Sequence, residues 1–207
     1  MGELKKGYLG PVTGKLGTGI GTYTNGRNII KSLPIVKKAS TESQVEQQTI
    51  FKMVANFLEP LTILIKKTIP KIRDLSGYNQ ALKQIIEEAV SGTPPVINYS
   101  LVQVGKGKLL NEGAAVVAAA GTLTFNWTIN TDDLTAFADD RSVPVVYCES
   151  LKRVSFNING SARSTGTTML NLPAAFSGKQ VQTWILFMSA DGKQTSDSIF
   201  TGAVMAL

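Results

Sequence analysis

Histidine is absent from all 207 residues, and cysteine occurs once, at Cys148. The first absence removes the usual general base at neutral pH and the commonest metal ligand, so Ser-His-Asp triads, Cys-His dyads and histidine-ligated zinc sites are excluded. The second excludes intramolecular disulfides, CxxC redox pairs and thiolate clusters. Cys148 itself stands in an apolar run and reads as an inert buried thiol. An enzyme built on this chain would have to run on carboxylates and lysines, and no spacing singles out such a pair. The expectation is a non-enzymatic protein with no cofactor and no metal.

Long apolar runs are missing too. The apolar stretch at residues 61–65 is far too short to span a bilayer. The opening Met1-Gly2-Glu3-Leu4-Lys5-Lys6 lacks the apolar stretch and small-residue cleavage site of a secretory signal, and Lys6 stands where a myristoylation motif wants Ser or Thr. A cytoplasmic product is expected. Charged residues make up only 17% against 43% hydrophobic, which places the chain with folded proteins and gives it enough apolar material for a core without staples.

The charge that is present is unevenly placed. Residues 1–38 hold Lys5, Lys6, Lys15, Arg27, Lys31, Lys37 and Lys38 against Glu3 alone, a net +6 that equals the net charge of the whole chain, so the rest is neutral. A basic arm ahead of a neutral body suits docking on phosphates or on an acidic neighbour, and these seven residues are the candidate interaction site. The arm lacks the block of consecutive charges and the stacked aromatics of a dedicated nucleic-acid module, which argues against sequence-specific readout.

Within the arm, residues 16–24 and 27–33 are β-capable and flank Asn25-Gly26, the dipeptide that best supplies a type I′ hairpin turn. Gly14, Gly17, Gly19 and Gly21 give the first strand little to pack, so it needs a neighbouring surface or backbone close against it. A phosphate-loop reading fails twice: three residues separate Gly10 from Gly14-Lys15, and Leu16 follows where Ser or Thr is needed.

Thr41 and Gln44 have capping-box spacing, and a helix follows with Val45, Phe51, Val54, Ala55 and Leu58 as its expected buried stripe, widened by Ile50, Met53 and Phe57. Pro60 breaks it, residues 61–69 form a short apolar-basic segment, and Pro70 ends that segment. A further helix over 77–90 presents Ala81, Leu82, Ile85, Ile86 and Ala89 on one face and stops before Pro94-Pro95. From Val96 the periodicity becomes alternating. Strands are expected at 96–104, 122–129, 143–148, 153–158, 167–172, 181–189 and 194–205, with hairpin signals at Asn159-Gly160 and Asp191-Gly192. Leu123, Phe125, Trp127 and Ile129 should share a buried face, and the run 181–188 is apolar on both faces, as a central strand should be.

The fold class expected is α+β: an N-terminal β-hairpin arm and two or three helices, then an antiparallel β-sandwich of about seven strands. The domain division drawn from composition is 1–95, the basic glycine-rich arm with its helical segment, and 96–207, the β-sandwich. Asp132, Asp133, Asp139 and Asp140 bracket one loop where carboxylates could hold Ca²⁺, but no glycine-spaced ligand order accompanies them, and a solvated loop is expected.

The order Leu123-Thr124-Phe125-Asn126-Trp127, the Leu172-Pro173 corner, Gly178 and Val181-Gln182-Thr183-Trp184 resembles a fibronectin type III or immunoglobulin-like sandwich, although the corner tyrosine of that fold is missing from its place. The whole chain resembles a family of Bacteroidota proteins known only as a domain of unknown function. The residues that carry this are Gly14-Lys15-Leu16-Gly17, Asn25-Gly26-Arg27, Ser32-Leu33-Pro34, Thr41-x-x-Gln44, Phe51 and Ser196-Asp197-Ser198-x-Phe200-x-Gly202. About 50 N-terminal residues are also similar to segments of phage head and tail proteins. The resemblance implies a structural assembly protein: a virion or virion-like component (capsid, head-tail or decoration) of a phage or prophage, found in the virion or in the cytoplasm before assembly. It would form a homo-oligomer or join other subunits, and it has no membrane span. Two alternatives stand beside it: a surface or secreted module binding glycan or protein through its sandwich loops, and non-specific nucleic-acid binding through the basic arm.

Overall fold

The computed structural model describes residues 2–3, 12–24, 26–33, 39–72, 74–131 and 134–207. They divide into two compact units, Met1–Val45 and Glu46–Leu207. The boundary expected at 95/96 falls inside the second unit, because the helices and the strands that follow share one core.

In the first unit, β1 (Gly2–Glu3), β2 (Gly14–Leu16), β3 (Gly19–Thr24) and β4 (Arg27–Ser32) form an antiparallel sheet in the order β1-β4-β3-β2. Thr24 pairs with Arg27 and Gly19 with Ser32, the register that a turn at Asn25-Gly26 sets. Gly26 has the positive φ (79°) such a turn requires; Asn25 lies outside the described residues. The close backbone that Gly21 was expected to need is the chain's own. A Cβ on Gly21 would overlap the Val12 carbonyl oxygen, so the chain at Val12 crosses the glycine face of β3.

The helix α1 (Glu42–Leu58) starts as its capping box dictates. The Thr41 N–H donates to Gln44 Oε1 at 3.1 Å, and the Gln44 N–H donates to Thr41 Oγ1 at 3.4 Å. Its buried residues are Val54, Phe57 and Leu58, whereas Val45 and Phe51 are 50% and 53% exposed. The expected stripe is therefore buried only in the last turns. After Pro60, α2 (Thr62–Thr68) inserts Leu64 and Ile65 into the core, and α3 (Gly77–Gln84) continues through one π turn to Ala89 with Ala81, Ile85 and Ala89 inward. Ser76 caps α3 by accepting the Asn79 N–H.

The remaining strands are β5 (Val90–Ser91), β6 (Val96–Ile97), β7 (Ala115–Ala119), β8 (Thr122–Asn126), β9 (Arg141–Cys148), β10 (Arg153–Phe156), β11 (Thr167–Asn171), β12 (Gln180–Met188) and β13 (Ile199–Met205). They pair antiparallel in three sheets, β5-β6, β11-β8-β7 and β10-β9-β12-β13. The chain is thus a mixed α and β protein, with three α-helices and several antiparallel sheets among the described residues.

The two central strands, β9 and β12, are apolar on both faces for a visible reason. On one face Val143, Val145, Tyr147, Trp184, Leu186 and Met188 join the helical residues Val54, Phe57, Leu61, Leu64, Ile65 and Ile85 in one cluster. On the other, Val146, Cys148, Val181, Ile185 and Phe187 join Leu123, Phe125, Trp127 and Leu170 of the three-stranded side. Alternation along each strand sends successive side chains to the two clusters, so both faces lose water contact.

Three expectations are corrected. The strand at 96–104 is only β6, followed by a 3-10 turn at Tyr99–Leu101; a strand not foreseen, β7, lies in the alanine-rich run before Gly121. Ile129 lies beyond the end of β8 and is 53% exposed. Asn159-Gly160 lies on the link from β10 in the four-stranded sheet to β11 in the three-stranded sheet, and its glycine is needed because a Cβ there would overlap the Ser142 carbonyl oxygen.

Candidate interaction sites

Of the seven basic residues expected to form an interaction site, Lys5, Lys6, Lys37 and Lys38 lie outside the described residues. Lys15, Arg27 and Lys31 are exposed. Opposed residues of an antiparallel pair share a face, and Ile20 is opposed to both Lys15 and Lys31, while Thr24 is opposed to Arg27. The three cations therefore stand on one face of the arm sheet with Ile20, Thr22 and Ile29, opposite the glycine face.

A denser basic cluster lies in the second unit, where charge counting along the sequence did not find it. Lys66 and Lys67 leave the last turn of α2, Lys71 follows Pro70, Lys106 and Lys108 flank Gly107, and Lys193 sits on the Asp191-Gly192 turn between β12 and β13. These six line a cleft of about 400 Å³. Hydrogen bonds hold its floor: the Lys106 N–H donates to Thr68 O at 3.0 Å, and Thr195 Oγ1 bridges Thr68 O at 3.1 Å and Lys106 O at 2.8 Å. Gly107 fits only because it lacks a side chain, since a Cβ would overlap the Thr195 carbonyl oxygen. Gly107→Ala is expected to cost about 1–3 kcal/mol of stability through forced displacement of this strap, measured by urea denaturation.

A second cavity, of about 350 Å³, is lined by Met53, Phe57, Tyr99, Tyr147, Glu149 and Lys152 among others. Phe57 meets Tyr147 edge-on at 4.9 Å, and Tyr99 lies 5.7 Å from Phe57. Burial, with the Glu149 carboxylate adding to it, pushes the Tyr147 phenol up to about 12 from its ordinary 10.0 and raises Tyr99 as well. The fold thus keeps these phenols protonated where the unfolded chain has begun to lose the proton. The Tyr147 contribution is fully present below pH 10 and is lost as pH rises from about 10 to about 12. Tyr147→Phe is expected to flatten that alkaline loss in melting temperatures recorded against pH.

Asp140, expected on a solvated loop, is instead buried and paired. Its Oδ2 accepts from Arg163 Nε at 3.2 Å and from the Phe137 N–H at 3.1 Å, with Arg163 Nη2 also at 3.2 Å. Burial lowers the Arg163 pKa while Asp140 opposes that shift. Asp139 is exposed, and Asp132 and Asp133 lie outside the described residues. Among the described residues no group of three or more acidic or cysteine side chains is placed to hold a metal, and no helix is long and apolar enough to cross a membrane.

The architecture and these sites define a mixed α and β protein with a basic N-terminal sheet, a lysine-lined cleft and a tyrosine-lined cavity. The chain belongs to DUF6266, a family of unknown function whose model matches residues 10–202. No curated protein and no solved structure matches it.

Proposed function

We propose that the protein is a non-enzymatic assembly component, a virion or virion-like subunit of a Bacteroidota phage or prophage, in which the N-terminal sheet docks on neighbouring subunits. The observation that carries this reading is the separate compactness of Met1–Val45, whose one sheet face presents Lys15, Arg27 and Lys31 around Ile20 and Ile29. Such an apolar centre with a cationic surround has the make-up of a polar-rimmed interface. The strand order of the second unit supports a fibronectin type III-like display domain: β7-β8-β11 in one sheet and β10-β9-β12-β13 in the other, with Trp127 and Phe187 in edge contact at 5.3 Å in the cluster they share. The phage and Bacteroidota assignment rests on the sequence pattern of the N-terminal 50 residues and on the whole-chain resemblance.

Sedimentation of the full chain over a wide concentration range tests the reading, together with fractionation of a native lysate. Oligomers, and co-sedimentation with particles, are expected. A strictly monomeric chain absent from particles contradicts it. A second reading, a surface or secreted ligand-binding module, is favoured by the tyrosine-lined cavity; recovery of the protein outside cells with a processed N-terminus would select it.

A further inference from the structure

We propose that the lysine cleft of the second unit is a sequence-independent binding site for the phosphodiester backbone of single-stranded nucleic acid. Lys66, Lys67, Lys71, Lys106 and Lys108 have no carboxylate within ion-pair distance among the described residues; Lys193 alone is paired, with Asp191 at 3.4 Å. Asp197 Oδ1 accepts the Gly107 N–H at 3.0 Å and keeps its negative charge next to the cleft. Five ammonium groups without an ion-pair partner outnumber that carboxylate around one concavity and reinforce one another's field, which the concave wall focuses. The cost of that repulsion is offset when a polyanion enters.

The chemistry of the lining narrows the occupant. No aromatic side chain lines the cleft, so bases have no platform to stack on. Lysine is a hydrated point charge without the planar fork that reads a base edge, so contacts fall on phosphates and carry no sequence information. The Lys106 and Gly107 N–H groups are already bonded within the protein, which leaves recognition to the side-chain ammonium groups. The carbonyl of Thr68 at the end of α2, which would repel an anion, accepts the Lys106 N–H and shares the single Thr195 hydroxyl proton with Lys106 O. A narrow flexible strand can follow lysines set around an inner wall, whereas the convex face of a folded acidic protein meets only the rim.

This site is independent of the assembly reading, and its test is a separate measurement. Fluorescence anisotropy of a labelled oligothymidine with the full chain should show binding whose logarithm falls with log salt at a slope of about −3.5, for five contacts at about −0.7 each. Lys66→Ala with Lys106→Ala should reduce that slope by about 1.4. Lys66→Glu, Lys106→Glu and Lys108→Glu together should abolish binding with an unchanged melting temperature, whereas Lys15→Glu with Lys31→Glu should leave it intact. The proposal is overturned by absence of binding at low salt, by a flat salt response, or by binding that survives cleft reversal and is lost on arm reversal. Tighter binding of a duplex or of polyglutamate than of the single strand overturns it too. Because oligomeric state is read by sedimentation, failure here leaves the assembly reading standing.

Discussion

Replacing Trp184 by alanine is expected to destabilise the second unit by about 3–5 kcal/mol, the range for truncating a large buried aromatic. Trp184 is fully buried on β12, the strand that pairs with both β9 and β13, and its ring lies 5.5 Å from Phe200 and 6.3 Å from Tyr99. Removing it opens a void in the cluster that the helices share with β9 and β12. The indole carries an opposing term: Nε1 is buried without a hydrogen-bond partner. An unpaired buried donor costs about 1–3 kcal/mol, so Trp184→Phe, which keeps most of the ring and deletes the N–H, should cost much less than Trp184→Ala. Urea denaturation followed by far-ultraviolet circular dichroism measures both; equal losses for the two substitutions would mean that the aromatic volume is not what holds this layer.

Arg163→Ala should be of similar size, about 3–5 kcal/mol, for a different reason. Arg163 is 3% exposed and Asp140 1% exposed, so the pair is desolvated. Beyond its two contacts with Asp140, the guanidinium donates from Nη2 to Leu110 O at 2.9 Å and stacks 3.9 Å over the Phe187 ring. Alanine strands the Asp140 carboxylate, whose Oδ1 already has no partner, with only the Phe137 N–H for company. The net worth of the pair is small compared with the damage of breaking it, so Arg163→Met combined with Asp140→Leu should cost less than Arg163→Ala alone. A double variant no more stable than the single one would show that the pair holds the loop by geometry that apolar packing cannot replace.

What the sequence announces and what it conceals follow from the range of each interaction. The Thr41–Gln44 box and the two-faced apolar run of β12 are local signals, written within a few residues, and both are realised. The strand β7 was hidden because alanine has weak β preference; Ala115–Ala119 becomes a strand by pairing with β8, a tertiary effect. The run 96–104 has strand-like composition, yet Asn98 accepts the Ser100 N–H and turns the chain after two residues of β6. At the N-terminal half of α1, helical spacing led to an expectation of burial that Val45 and Phe51 do not meet, because periodicity gives a face and not a partner. The lysine cleft and the Arg163–Asp140 pair were illegible for the same reason: their members come from segments far apart in the chain, and each segment alone looks like ordinary solvated charge.

In the proposed function, residues 1–45 mediate assembly while residues 46–207 hold their own fold. Light scattering coupled to size-exclusion chromatography, on the full chain and on a chain beginning at Ser40, tests it most directly. The shorter chain keeps the capping box of α1 and lacks the N-terminal sheet. The expected result is an oligomer for the full chain and a folded monomer for the shorter one, with a melting temperature within a degree or two of the full chain's. An oligomer of unchanged size after truncation, with a melting temperature lowered by several degrees, would contradict the claim and make the N-terminal sheet a stabilising part of its own chain.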